Sequence, residues 1–237
     1  MSVEYDQYLS QHFRRIATPS AAQRNAVFSL DHHGQHFPPD KNAAILEIGP
    51  GLGALLGHLH THCGYGNIKA VDVSAEVVEA CNRVLPGSTE LTTDTTAFLE
   101  DHPGEFDLIL MFHVLEHVPK DEVMPLLKAL RRSLSEKGKL VVEVPNIAHP
   151  VMGAYQRYHD FTHTVGFTDQ SLGFVLRNSG FRDVTVYGCR TPRKNLARLV
   201  QRTAQDAVEL FSGLRLRLYL PHQPTNLAIA LGACGSK

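Results

Sequence analysis

Three short stretches of the sequence carry side chains that could do chemistry. His113-Val114-Leu115-Glu116-His117 puts two imidazoles and a carboxylate where one helical turn would gather them. On a helix, that spacing can hold a zinc ion. Residues 157–172 read RYHDFTHTVGFTDQSL, dense in groups that give or take protons. A hydroxyl nucleophile has a high pKa, so an imidazole or carboxylate that removes its proton assists attack. Asp160 and His163 are candidates for that work, with Asp160 able to orient the ring. The third stretch is Glu47-Ile48-Gly49-Pro50-Gly51-Leu52-Gly53, a glycine turn of the kind that lets a ligand approach the backbone closely.

What these groups can do depends on the elements that place them. The segment ILEIGPGLGALLGHL reads as a strand, a turn and a helix, and NIKAVDVS with AEVVEACNRVL repeats strand and helix. FDLILMF (106–112) is apolar on both faces, KDEVMPLLKALRRSL is amphipathic, and LVVEVPN is another buried strand. Strands alternating with helices predict an α/β fold with a parallel sheet covered on both sides. Thr168 and Gly180 bracket a further helix, as a cap and a stop should. DVTVYGC and TNLAIALGA then read as two late strands, antiparallel at one edge, separated by a long basic helix over 193–220. Residues 1–40 form an N-terminal helical cap and 41–237 the main domain.

This placement argues against zinc. His113 follows directly on FDLILMF, so it sits at a strand end and a helix can begin only around Val114. The two histidines are then not on one helix, and Glu136, in a turn, and Glu143, in a strand, are poor third ligands. No metal site is expected. The glycine turn instead ends a strand and opens a helix, whose unpaired N–H groups attract a carboxylate or phosphate. Asp72 ends the next strand about 20 residues on, where a carboxylate can take both hydroxyls of a ribose. Gly49-x-Gly51-x-x-Ala54 also satisfies a dinucleotide fingerprint. Glu47 would be awkward beside a pyrophosphate, but suits the ammonium and sulfonium of S-adenosyl-L-methionine. Asp94, after the third strand, could accept from an adenine amino group.

The bulk properties fit. The chain has 237 residues, 43% hydrophobic, with a formal charge of -1, so no global field draws it to nucleic acid. Four cysteines without a close pair and no leader-like or membrane-length apolar run suggest a cytoplasmic protein with free thiols.

The segments ILEIGPGLG, VDVS, DTTAFL, FDLILMFHVLEHV and GKLVVEVPN resemble, in order and spacing, the motifs of class I S-adenosylmethionine-dependent methyltransferases over roughly residues 43–190. The resemblance implies a Rossmann-like seven-stranded sheet with its last strand antiparallel. It implies that Glu47, Gly49, Gly51, Leu52 and Gly53 line the methionine part, that Asp72 holds the ribose with Val73 beside the adenine, and that Asp94 and Thr95 flank the base. His113 would border cofactor and acceptor, with Glu116 or His117 supporting that turn. The DFTH loop, the F-T-x-x-S-L helix and the YDQYLSQHF region further resemble a bacterial subgroup associated with surface polysaccharide and glycolipid assembly. That implies O-methylation of a sugar or glycan, with His113 or His163 taking the acceptor's proton and Asp160 and His117 beside them. A quinone or small secondary metabolite is the alternative acceptor, and a non-catalytic cofactor-binding scaffold the alternative role. The basic helix is expected to pack on its own domain, form a homodimer, or touch an anionic membrane surface transiently.

Overall fold

The computed structural model describes residues 19–219 and 226–237. The first eighteen residues, including the YDQYLSQHF region, and the Leu220 end of the expected basic helix lie outside the described residues. Within them, the N-terminal region forms α1 (Pro19–His33) and a 3-10 turn at Gly34–His36.

Seven strands make one sheet. They are β1 (Ile45–Ile48), β2 (Ile68–Asp72), β3 (Thr89–Leu91), β4 (Phe106–Phe112), β5 (Leu134–Pro145), β6 (Arg182–Cys189) and β7 (Ala230–Ser236). Their spatial order is β3-β2-β1-β4-β5-β7-β6. The first five are parallel, while β7 runs antiparallel between β5 and β6. This is the Rossmann-like seven-stranded sheet, its last strand antiparallel, that the resemblance implied.

The central strands read apolar on both faces because helices cover both. Ile45, Leu108, Leu110 and Val141 pack under α1 and α2 (Ala54–Thr61), against Ala26, Leu55, Leu56 and Leu59. Their alternating neighbours Leu46, Ile48, Ile109, Met111 and Val142 face the opposite layer. That layer holds Phe98 of α4 (Thr95–Glu100), Leu126 and Leu130 of α5 (Val123–Ser133), and Leu172 and Leu176 of α7 (Asp169–Asn178). The remaining helices are α3 (Ala75–Val84), a short α6 (Gly153–Tyr158) and α8 (Leu196–Arg217). Thr168 caps α7 in a reciprocal pair with Ser171, as its position in the sequence suggested.

Two consequences position the site. The strand order reverses between β1 and β4, so the crevice that binds ligands in such sheets opens at their carboxyl ends. The glycine loop leaves β1 there and His113 leaves β4. By contrast, α8 buries none of its residues. Leu196, Val200, Leu210, Phe211 and Leu214 stand exposed on it, so these apolar positions do not pack on the sheet.

Candidate active site

The loop after β1 is held open by its backbone. Gly49, Gly51 and Gly53 all have positive φ, at 71°, 56° and 69°. A side chain at Gly49 would run into Val114, so the loop lies directly against the turn after β4. A side chain at Gly51 would meet no atom within 4 Å, which leaves open space over that residue. The Cys81 thiol donates to the Gly51 carbonyl at 3.4 Å and fixes the loop from behind. Leu52 is half-buried in it.

Glu47 shares a face of β1 with Ile45 and is buried, and its Oε2 has no hydrogen-bond partner among the described residues. Burial alone pushes its carboxyl up to about 8. A buried carboxylate without a partner is costly, and a cationic ligand relieves the cost. At the end of β2, Asp72 takes the Ser74 N–H at 2.8 Å with Oδ1. Burial raises its carboxyl to about 6, against the pull of the Ser74 and Val73 amides. Val73 is exposed beside it at 36%. Asp94 caps α4 by accepting the Ala97 N–H at 2.9 Å, and Thr95 is the first residue of that helix. One Asp94 oxygen therefore serves the fold, a use that the sequence reading did not assign.

Across the crevice, the turn after β4 is not an α-helix. His113 adopts φ 55°, a left-handed conformation that a non-glycine residue seldom takes, and Leu115–His117 form one 3-10 turn. The strain is held by partners. The His113 amide donates to the Glu143 carbonyl at 2.8 Å. Its ring stands between two buried carboxylates, with Nε2 3.1 Å from Glu143 Oε1 and Nδ1 3.4 Å from Glu116 Oε1. Desolvation opposes its charge, but the two carboxylates outweigh it and raise the imidazole to about 10. Half of the side chain still faces solvent.

Behind it, Glu143 also pairs with His33 Nε2 at 2.6 Å, and His33 Nδ1 meets the Tyr187 hydroxyl at 2.8 Å. This buried chain joins α1, β5 and β6 to the site. The sequence reading missed it, although a charged Glu143 inside the apolar LVVEVPN was a signal. Burial works to raise the Glu143 carboxyl, but its hydrogen bonds to His113 and His33 outweigh this and hold it well below its usual range.

The loop after β5 lies against the 3-10 turn. The Glu116 carbonyl accepts the Thr164 and Val165 amides at 2.8 and 3.1 Å. Asp160 and His163 are both buried, with Asp160 Oδ2 3.9 Å from His163 Nε2. Asp160 Oδ1 takes the Thr162 hydroxyl at 2.6 Å, and that hydroxyl oxygen is 2.8 Å from His117 Nδ1. The His117 and His163 rings meet edge to face with centroids 4.7 Å apart. His113, His117, Asp160 and His163 thus gather at one end of the sheet, with Glu116 among them. Glu116, His117 and His163 each bring a ligand atom within 4.8 Å of the other two, and so do His33, Glu143 and Cys189.

A family model described as a methyltransferase domain matches residues 13–186. The chain belongs to that methyltransferase family. The methyltransferase is similar in fold to a SAM-dependent methyltransferase from Archaeoglobus fulgidus, at TM-score 0.68 and 19% identity, over 97% of this chain and 99% of that one. It is also similar to a Thermotoga maritima SAM-dependent methyltransferase described as a possible histamine N-methyltransferase, at TM-score 0.65 and 16% identity, over 98% and 97%. The phosphoethanolamine N-methyltransferase 2 of Haemonchus contortus, solved with S-adenosyl-L-methionine, matches at TM-score 0.65 and 15% identity, over 100% of this chain and 60% of that one. No curated protein matches the chain. Family and fold together make it an enzyme with S-adenosyl-L-methionine as cofactor. The residues present fit that group: a buried carboxylate without a partner for the ammonium, and open space above Gly51.

Proposed function

We propose that the methyltransferase O-methylates a sugar or glycan hydroxyl in the assembly of a bacterial surface polysaccharide, with the donor seated over β1, β2 and β3. The cofactor supplies an electrophilic methyl group on a sulfonium. Glu47 would hold the ammonium of its methionine part, with Gly49, Gly51, Leu52 and Gly53 as the floor. The amides opening α2 favour its carboxylate. Asp72 would take the ribose hydroxyls, Val73 would pack against the adenine, and Asp94 and Thr95 would flank it.

The acceptor would lie between the His113 turn and the 160–163 loop. Both ring nitrogens of His113 are turned toward carboxylates, so it offers N–H groups and no lone pair. We therefore give it a positioning role beside the donor, and assign the acceptor's proton to the cluster of His117, Asp160 and His163. In that cluster the His163 ring donates from Nδ1 to the Gln156 carbonyl at 2.6 Å, which leaves Nε2 as its basic nitrogen. The observation that carries the reading is this meeting of basic groups with the donor-side Glu47 and glycine loop across one crevice. Formation of S-adenosylhomocysteine should be measured with nucleotide sugars, glycan fragments and quinols as acceptors. Turnover on a glycan supports the reading; turnover on a quinol alone sinks it.

The domain division follows the same logic. We propose residues 1–40 as a cap, a reading supported by α1, which supplies His33 to the Glu143 chain and Ala26 to the core. The 193–220 helix stands apart. Six basic residues over this stretch face Asp206 and Glu209. Arg193 and Arg202 pair with Asp206, and Lys194 with Asp31, while Glu209 pairs with Arg190. Arg198, Arg215 and Arg217 make no ion pair among the described residues and lie beside the exposed leucines. That combination suits transient contact with an anionic membrane surface, where lipid-linked glycans are held.

A further inference from the structure

The Glu116–His117–His163 cluster has a property that proton transfer alone does not use. Glu116 is 2% exposed, and neither of its carboxylate oxygens has a hydrogen-bond partner among the described residues. Its nearest cationic neighbour, His113 Nδ1, stands at 3.4 Å. That ring faces Oε1 alone and shares its charge with Glu143, so the buried Oε2 is left without a partner among the described residues and can serve a further cation.

The two imidazoles are oriented to help supply the site for one. His163 Nδ1 faces a carbonyl, which can only accept, so Nδ1 carries the hydrogen and Nε2 the lone pair. The Thr162 hydroxyl gives its hydrogen to the Asp160 carboxylate, so its oxygen must accept from His117 Nδ1. In a neutral His117 ring, Nε2 then also carries the lone pair. A ring fixed by an Nδ1–H bond to a carbonyl or hydroxyl is the usual support of a metal-ligating histidine. One ligand atom of each of the three residues lies within 4.8 Å of those of the other two, so side-chain rotations would close them on one ion.

We infer that Glu116, His117 and His163 hold a divalent first-row transition cation that binds the oxygen of the acceptor. Two imidazoles favour iron, cobalt or zinc over calcium or magnesium, and the carboxylate also admits manganese. Three protein ligands leave coordination positions for oxygens of an acceptor, and a vicinal diol supplies two. The ion would lower the pKa of a coordinated hydroxyl. This refines the preceding reading: the Nε2 lone pair of His163 goes to the ion, the ion acidifies the coordinated hydroxyl, and Asp160, whose carboxylate lies 3.9 Å from that nitrogen, takes the released proton. The site departs from the zinc-peptidase spacing, because His113 is not a ligand and His163 comes from the loop after β5. His33, Glu143 and Cys189 form no second site of this kind: both His33 nitrogens are engaged, and burial pushes the Cys189 thiol far above its usual range.

The test is direct metal binding to the full chain, so it does not depend on knowing the acceptor. Protein stripped with a chelator would be titrated with Mn²⁺ followed by electron paramagnetic resonance, and with Co²⁺ followed by visible absorption. One ion should bind tightly and be displaced by Zn²⁺. Thr162→Val, which removes only the support of His117, should weaken it by roughly 10–100-fold. Glu116→Gln and His163→Ala should each weaken it further, with S-adenosylhomocysteine affinity unchanged. Absence of a saturable ion, or binding that the three variants leave unaltered, overturns the inference. Specific ion binding with no glycan methylated would uphold the metal site and reject the acceptor. Full glycan turnover by the metal-free enzyme would do the reverse.

Discussion

Replacing Glu47 by glutamine separates what this residue costs the fold from what it does for the donor. The carboxyl is raised from an ordinary 4.5 to about 8 because it is buried without a partner. The folded chain therefore binds one proton more than the unfolded chain throughout that interval. The stability this proton confers is fully present below 4.5 and is lost as pH rises through about 8. Each pH unit inside the interval costs ~1.4 kcal/mol, and the whole interval is on the order of 5 kcal/mol. Glu47→Gln keeps the shape and removes the titration. Urea unfolding of cofactor-free protein at pH 6, 7 and 8 should show the variant gaining on the wild type by ~1.4 kcal/mol per unit. Donor binding should move the other way. Loss of a hydrogen bond to a charged group should cost ~1.5–3 kcal/mol, or roughly 10–100-fold in S-adenosylhomocysteine affinity. At pH 7, calorimetry in two buffers should find close to one proton released when the wild type binds ligand, and none with E47Q. Parallel stability curves together with equal ligand affinity would refute the placement of a buried, unpartnered carboxylate against the donor's ammonium.

Other outcomes follow from single features. Gly51→Val should abolish S-adenosylhomocysteine binding in calorimetry, since it fills the open space over a residue at φ 56°. Asp72→Ala should weaken that binding by ~1.5–3 kcal/mol. In the wild type the fall in affinity that Glu47 causes below about 8 should steepen as pH drops through about 6, where Asp72 also takes up a proton, and Asp72→Asn should remove only that extra steepening. Thr168→Ala removes the cap of α7 and should lower stability by ~1 kcal/mol in urea unfolding, with donor affinity intact. Liposomes of anionic lipid should float the wild type at low salt and release it at ~0.5 M, where charges are screened. If nothing floats at low salt, the exposed row on α8 does not serve a membrane.

The sheet was readable because its central strands are buried on both faces and so appear as unbroken apolar runs, each followed by a helical pattern. The glycine loop was readable for a related reason: strand, turn and helix leave one place for a backbone that must approach a ligand. The partners of His113 were not. Glu143 and His33 are 110 residues apart, and only the order of strands brings α1 over the end of β5. Nor did spacing reveal that His117 and His163, 46 positions apart in sequence, stack edge to face, because a loop hydrogen-bonded to the Glu116 carbonyl joins them. The basic excess of the 193–220 stretch was visible as composition. How those charges pair was not, since Glu209 is taken by Arg190 outside the stretch while Asp31 of α1 neutralises Lys194.

A crystal structure with S-adenosylhomocysteine bound tests the central claim most directly. The account predicts the ligand's ammonium on the Glu47 carboxylate, its ribose hydroxyls on Asp72, and its sulfur facing the space between His113 and His163. A nucleoside bound elsewhere on the sheet, or a Glu47 carboxylate still without a partner in the complex, would contradict it.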